Sequence, residues 1–137
     1  MFGRFTQPLT ILLAALLLLV GAGACSRGDE SEGSDDGLQV TLEVTPQPPA
    51  IGPAQLVITI EDDAGEPVSG ASLELEGNMS HAGMQPVFVE ASEDGPGRYV
   101  SEGFEFTMGG DWIITISGTL VDGSELRRTF DVREVAS

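Results

Sequence analysis

The residues best suited to metal chemistry are concentrated in two short segments of the chain. The stretch GNMSHAGMQP, residues 77–86, contains the only histidine, His81, and two of the four methionines, Met79 and Met84. Met108 lies in the stretch FEFTMGGDW, and the remaining methionine is the first residue. Thioether sulfur favours Cu(I), and imidazole also binds copper. We therefore predict a Cu(I) site of three sulfurs and one nitrogen.

The local pattern around these residues is consistent with a shared site. In an extended strand, Met79 and His81 project from the same face, with their Cα atoms about 7 Å apart. The Ala-Gly pair that follows gives a compact turn, which would return Met84 toward them. Met108 continues the parity of the two phenylalanines before it, so we expect it to point inward. The alternative is structural, because methionine fills irregular core gaps well and a single histidine often serves only in hydrogen bonding.

Other chemistries lack the residues that they need. A structural zinc site takes four Cys or His ligands and a blue-copper centre takes two His and one Cys, whereas this chain has one histidine and one cysteine. The sequence contains no phosphate-cradling loop, dinucleotide fingerprint or nucleophile elbow. A hydrolase with paired carboxylates ranks last, because the 22 acids are too many for the sequence to single out a pair. We therefore expect a protein that is not an enzyme.

Residues 1–24 have the pattern of an export signal. Arg4 precedes an apolar run of about 12 residues, Leu9–Val20, which is shorter than the roughly 20 residues of a membrane-spanning helix. Small residues then lead to Cys25, and the segment resembles the lipobox of bacterial lipoproteins, although Ala22 stands where leucine is usual. The resemblance implies acylation of Cys25, with palmitate or a similar chain, and a lipid anchor on the extracytoplasmic side of a membrane of the cell envelope. A retained signal anchor, or a free thiol, is the alternative.

An acidic linker follows, over residues 25–37. Its sequence after the cysteine, SRGDESEGSDDG, has almost no apolar side chain, so we expect it to be disordered and to span up to roughly 40 Å. Without residues 1–24 the chain carries five Arg, no Lys and 22 acids, a formal charge of −17. Such a surface repels nucleic acid and anionic lipid, which excludes nucleic acid as a ligand, whereas cations and basic proteins are tolerated.

Residues 38–137 have the pattern of one domain of short strands. LQVTLEVT alternates apolar and polar residues, and AQLVITIE repeats this pattern with Leu56, Ile58 and Ile60 inward, or with Val57 inward if the other face is buried. Further candidate strands are ASLELE, PVFVE, RYVSE with FEFTM, WIITIS and LRRTFDV, separated by turn signals such as EDGPG and VDGS. About seven strands without a helix predict an all-β, immunoglobulin-like antiparallel β-sandwich, with a small barrel as the alternative.

Four motifs occur in a distinctive order within this domain. They are a turn with Gly65 and Pro67, the strand that leads into MSHAGM, the sequence GRY, and a Gly-Gly-Asp-Trp turn. Over residues 38–133 this order resembles the YtkA-like and FixH-like group of exported bacterial domains. The resemblance implies an immunoglobulin-like sandwich and a connection with copper handling and cytochrome oxidase assembly.

Two functional hypotheses follow from the residues and the resemblance. The first is a membrane-anchored protein that binds Cu(I) through Met79, His81, Met84 and Met108, and buffers it or delivers it to an exported copper-receiving protein. The alternative is a metal-free immunoglobulin-like module that docks onto an exported partner.

Overall fold

Seven strands make up the domain. The computed structural model describes residues 36–81 and 83–137, so the predicted signal peptide, Cys25 and most of the linker lie outside the described residues. The strands are β1 (Leu38–Thr45), β2 (Gly52–Asp62), β3 (Ser72–Met79), β4 (Val87–Glu93), β5 (Arg98–Phe106), β6 (Gly110–Thr119) and β7 (Glu125–Val135). Each predicted strand is present. Within the described part of the chain, no helix is long and apolar enough to cross a membrane.

The strands pair antiparallel in the order β1-β2-β5-β4-β3-β6-β7. This order places β1, β2, β5 and β4 on one side and β3, β6 and β7 on the other, as in immunoglobulin domains of the constant type. Strand β4 joins the two sides, because it pairs with β3 at five positions and with β5 at two. The predicted all-β sandwich is confirmed, and β4 makes its sheet continuous and nearly closed.

The inward residues follow the predicted alternation on β2. Leu56, Ile58 and Ile60 are fully buried, as expected from the first of the two registers considered. Val57 faces the other way but is also buried, since β2 lies between β1 and β5 and Val57 pairs with a residue on each side. Both faces of β2 are therefore buried at this point of the strand.

A β-bulge explains why the predicted fifth strand appeared as two pieces in the sequence. From the Ala54–Phe104 pair to the Leu56–Ser101 pair, β2 advances by two residues whereas β5 advances by three, so β5 has one extra residue. Gly103 lies in this bulge and has a φ of 90°, a conformation that favours glycine. The bulge changes the parity of β5, so Ser101 and Phe104 both point into the core.

Three aromatic rings fill one half of the core. Phe104, Phe106 and Trp112 pack edge to face, with ring centroids 5.1 to 6.2 Å apart. Gly77 of β3 leaves the space for this cluster, because a Cβ at that position would come within 2.6 Å of the Phe104 ring. The cluster lies toward the end of the sandwich where β3 and β5 finish and β6 begins.

The domain has two chemically different ends, which we name by their residues. The methionine end consists of the β1–β2 loop (46–51), the β3–β4 loop (80–86) and the β5–β6 turn (107–109). The N-terminal end consists of the loops 63–71, 94–97 and 120–124, together with the point where the chain enters β1. At the N-terminal end the buried Tyr99 hydroxyl donates to the Val68 carbonyl (2.7 Å) and accepts from the Ala71 N–H (3.0 Å), which fixes the first of these loops.

The last residues of the predicted linker contact the domain. Asp36 forms an ion pair with Arg128 of β7, whose side chain is only 2 % exposed and also donates to the Leu38 carbonyl. The hydrogen bond from Arg128 lowers the pKa of the Asp36 carboxyl below its ordinary value. The chain is therefore attached to β7 at the N-terminal end before β1 begins.

Candidate metal site

Met79 is the buried member of the predicted ligand set. It is the last residue of β3, pairs with Trp112 of β6 and is 8 % exposed. Its burial follows from the alternation of β3, in which Leu73, Leu75, Gly77 and Met79 all point inward. The Met79 side chain consequently belongs to the hydrophobic core.

His81 and Met79 converge on Gly110. A Cβ built on Gly110 would stand 3.5 Å from the Met79 Cε and 4.0 Å from the His81 Cε1. His81 itself is exposed, in the loop that follows β3. One side chain comes from the core and the other from the surface, and both therefore border the same open space above Gly110, a glycine whose φ of 118° favours the absence of a side chain.

Backbone hydrogen bonds hold the loop and the start of β6 together. The Ser80 N–H donates to the Asp111 carbonyl (3.2 Å), and the Asp111 carboxylate accepts from the Glu134 N–H of β7 (3.0 Å). These contacts fix the residue before His81 and the residue after Gly110. The Gly-Gly-Asp-Trp motif in the sequence indicated a turn at this point. It did not indicate that the Asp111 carbonyl and carboxylate accept hydrogen bonds from Ser80 and Glu134.

Met108 lies in the turn that leads to Gly110 and is 45 % exposed. The prediction that it points inward was wrong, because β5 ends at Phe106 and the chain turns before the strand parity reaches Met108. The Met108 carbonyl accepts a hydrogen bond from the Trp112 indole N–H (2.9 Å), so the backbone of the turn is anchored to the aromatic cluster. The thioether is therefore carried on a supported turn, with its side chain open to solvent.

Met84 shares the β3–β4 loop with His81 and is 36 % exposed. All four predicted ligands thus lie at the methionine end, but in two arrangements. Met79 and His81 both approach Gly110, and Met108 lies on the turn that leads to Gly110. Met84 shares the β3–β4 loop with His81 and shares only the end of the domain with the other two.

Harder ligands do not form an alternative site in the described residues. Across residues 36–81 and 83–137, no group of three or more His, Cys, Asp or Glu side chains is arranged to hold a metal ion. The predicted ligand set consists instead of three thioethers and one imidazole, donor types that suit Cu(I).

A groove on the outer face of β4 and β5 is lined by several acids, including Glu90, Glu93, Asp94 and Glu102. Asp94 is paired with Arg98. Hydrogen bonds from Ser69 and from the Gly70 N–H lower the pKa of the Glu93 carboxyl. A general acid needs a raised carboxyl pKa, so these contacts suit a solvated surface better than a hydrolytic centre.

Comparison with known proteins places this domain in a family. A solved structure, the PmoD soluble domain from Methylocystis sp., aligns over 77 % of this chain and 96 % of its own with 18 % sequence identity and a TM-score of 0.49. No curated protein matches the chain. The model of the YtkA-like family matches residues 33–117. Because that match spans more than half of the chain, this protein belongs to the YtkA-like family.

Proposed function

We propose that this protein is an extracytoplasmic, membrane-anchored Cu(I)-binding protein that buffers copper or delivers it to an exported receiving protein. The proposed ligands are Met79, His81, Met84 and Met108. The observation that carries the proposal is the convergence of the Met79 methyl group and the His81 ring at Gly110, beside the turn that bears Met108.

The donor chemistry supports Cu(I) over other metals. Thioethers and a neutral imidazole are soft or borderline ligands that carry no charge, so they suit a monovalent soft cation. They also resist disulfide formation, which would remove a cysteine-based site outside the cytoplasm. The formal charge of the whole chain, −16, raises the local concentration of cations around the domain.

The exposure of the ligands favours exchange of the metal. Met79 is held in the core, whereas His81, Met84 and Met108 are open to solvent. One fixed ligand gives the site a defined position, and three accessible ligands leave room for an incoming ligand from another protein. Buffering or delivery therefore fits this site better than permanent storage of the ion.

Anchoring rests on the predicted acylation of Cys25. The acyl chains would hold the domain at a membrane surface on the linker of residues 26–37. Metabolic labelling with a palmitate analogue should mark the full chain and should not mark a Cys25→Ala variant. Equal labelling of both proteins would remove the anchor from the proposal.

An anaerobic Cu(I) competition titration against a chromogenic chelator tests the metal site. The chain from residue 26 should take up one Cu(I), and a Met84→Leu, Met108→Leu variant should bind at least tenfold more weakly while unfolding at the same temperature, because both side chains are exposed. Val121→Leu, at the exposed turn of the opposite end, is the matched control and should bind as the parent does. If the parent chain does not compete for copper, the metal-free docking module becomes the better explanation.

A further inference from the structure

The methionine end carries no charged side chain in its loops. Residues 46–51, 80–86 and 107–109 contain no Asp, Glu, Lys or Arg, in a chain with 22 acids. At the N-terminal end each of the three loops, 63–71, 94–97 and 120–124, contains at least one acid. The loops at one end of the sandwich are therefore free of acidic side chains, whereas every loop at the other end has at least one.

Exposed apolar side chains gather at the same end. Among the described residues, the large hydrophobic side chains that are exposed are Ile51, Met84, Phe88, Met108 and Val121. Three of them, Ile51, Met84 and Met108, lie in the loops of the methionine end. Phe88, 56 % exposed, is the second residue of β4, which begins directly after the β3–β4 loop, and it lies opposite Glu76 of β3. Val121 alone lies at the N-terminal end. Exposed apolar groups scattered singly need no explanation, but three in the uncharged loops of one end, with a fourth at the start of the adjoining strand, form the pattern of an interaction surface.

Prolines stiffen the loops that carry this surface. The β1–β2 loop contains Pro46, Pro48 and Pro49, and Pro86 ends the β3–β4 loop. Proline fixes φ, so these loops lose less conformational entropy when a partner immobilises them. The surface is in this respect preorganised for binding.

The methionine end also faces away from the linker. Asp36 is attached to Arg128 at the N-terminal end, and Leu38 pairs with Asp62 there. From that point the eight residues of β1 run roughly 26 Å toward the methionine end. In a protein anchored through its N-terminus, the methionine end is thus the end of the domain farthest from the point where the tether joins it.

We propose that the methionine end is the docking surface for an exported protein whose own surface has an apolar patch flanked by Lys or Arg. Three exposed acids, Glu105, Asp111 and Glu134, lie just behind the uncharged loops and would face the basic residues of the partner. This inference rests on the proposed extracytoplasmic location and names the surface of the copper-receiving interaction, but it does not require copper to be bound.

Charge argues against two other partners for this surface, namely an anionic membrane and a second copy of this chain. An anionic lipid surface is repelled by a chain of formal charge −16, and the anchor lies at the opposite end. A second copy carries the same negative charge, which opposes the association of two copies. A different protein with basic residues on its surface is instead attracted by the charge of this chain.

Site-specific photocrosslinking in the protein's own cells tests the proposal. Benzoylphenylalanine is placed in the full anchored chain at Ile51, at Phe88 or, as the matched control, at Val121. We expect Ile51 and Phe88 to give an adduct with the same exported protein, identified by mass spectrometry, and Val121 to give none. With that protein purified, Phe88→Glu should weaken binding at least tenfold, Val121→Glu less than twofold, and added salt should weaken binding of the parent.

Three results would overturn the docking surface: adducts of equal yield at both ends, adducts only with lipid or with a second copy, and no adduct at Ile51 or Phe88. Unchanged binding by Phe88→Glu, with its unfolding temperature as in the parent, would also contradict it. Neither Ile51 nor Phe88 is a proposed ligand. Failure of the copper titration therefore leaves the crosslinking result interpretable, and failure of docking leaves the copper site untouched.

Discussion

Gly110 offers a direct test of the convergence of Met79 and His81. A Gly110→Ala substitution places a methyl group 3.5 Å from the Met79 Cε and 4.0 Å from the His81 Cε1. Both distances are ordinary van der Waals contacts, so the methyl group fits without a clash but occupies space that borders both side chains. If the thioether and the imidazole close on a Cu(I) ion there, the variant should bind copper at least tenfold more weakly, which corresponds to about 1.4 kcal/mol.

The same substitution strains the backbone, and this effect needs its own control. Gly110 has a φ of 118°, where an alanine costs about 1–3 kcal/mol. For a domain of about 100 residues, each kcal/mol lowers the unfolding temperature by roughly 4–8 °C. Gly52 has the same φ of 118°, and a Cβ there meets nothing within 4 Å. Gly52→Ala therefore reproduces the backbone strain without entering the candidate site.

The comparison requires two assays on both variants and the parent. Thermal unfolding by circular dichroism should show similar losses for Gly110→Ala and Gly52→Ala, and the anaerobic Cu(I) titration should show a loss for Gly110→Ala only. Equal copper affinity in the two variants would refute the argument that Met79 and His81 bind the ion together at Gly110. A much larger stability loss for Gly110→Ala would show that the new methyl group is not accommodated.

Other parts of the structure give further predictions. Asp36→Asn weakens the contact with the buried Arg128 and should lower the free energy of unfolding by roughly 2 kcal/mol in denaturant titrations at pH 7. The pKa of the Asp36 carboxyl is lowered from 3.8, so its contribution to the free energy of unfolding is complete above that pH and is lost as the pH falls through the lower pKa of the folded state. The variant should lack this loss of stability in acid. The same loss in the variant and the parent would contradict the assignment to Asp36. Ser101→Ala should raise stability by about 1 kcal/mol, since the buried Ser101 hydroxyl has no hydrogen-bond partner in the described part of the chain; a loss of stability would show that it has one. Peroxide, which transfers one oxygen to a thioether sulfur and leaves water, should oxidise the exposed Met84 and Met108 before the buried methionine of β3, as followed by peptide mass spectrometry; equal rates would contradict the burial.

The strands could be predicted from the sequence because their signals are local. The inward set Leu56, Ile58 and Ile60 follows from a period of two, and the turns between strands contain Gly, Pro and Asp in short clusters. The arrangement as an immunoglobulin-like sandwich follows from the number and spacing of the strands. The contribution of β4 to both sides does not, because nothing in the sequence PVFVE specifies which neighbours it pairs with.

The candidate site could be predicted in its residue types but not in its geometry. The inward direction assigned to Met108 extrapolated the parity of β5 past Phe106, where the strand ends. The position of Gly110 beside Met79 and His81 depends on the pairing of β3 with β6, a contact between residues about 30 apart in the chain that no local pattern specifies. The attachment of Asp36 to Arg128 spans 92 residues and is hidden from the sequence for the same reason.

The placement of charge connects the two proposals. Acids over most of the surface attract cations, but a partner that must approach closely enough to take a ligand position loses free energy when charged groups are desolvated at the contact. Loops without charge lower that cost at the end where His81, Met84 and Met108 are exposed. Under the two proposals, the acidic surface attracts the ion and the uncharged loops receive the partner protein. Substitutions at Ile51 or Phe88 should consequently slow the transfer of copper to a partner without changing its affinity for the domain.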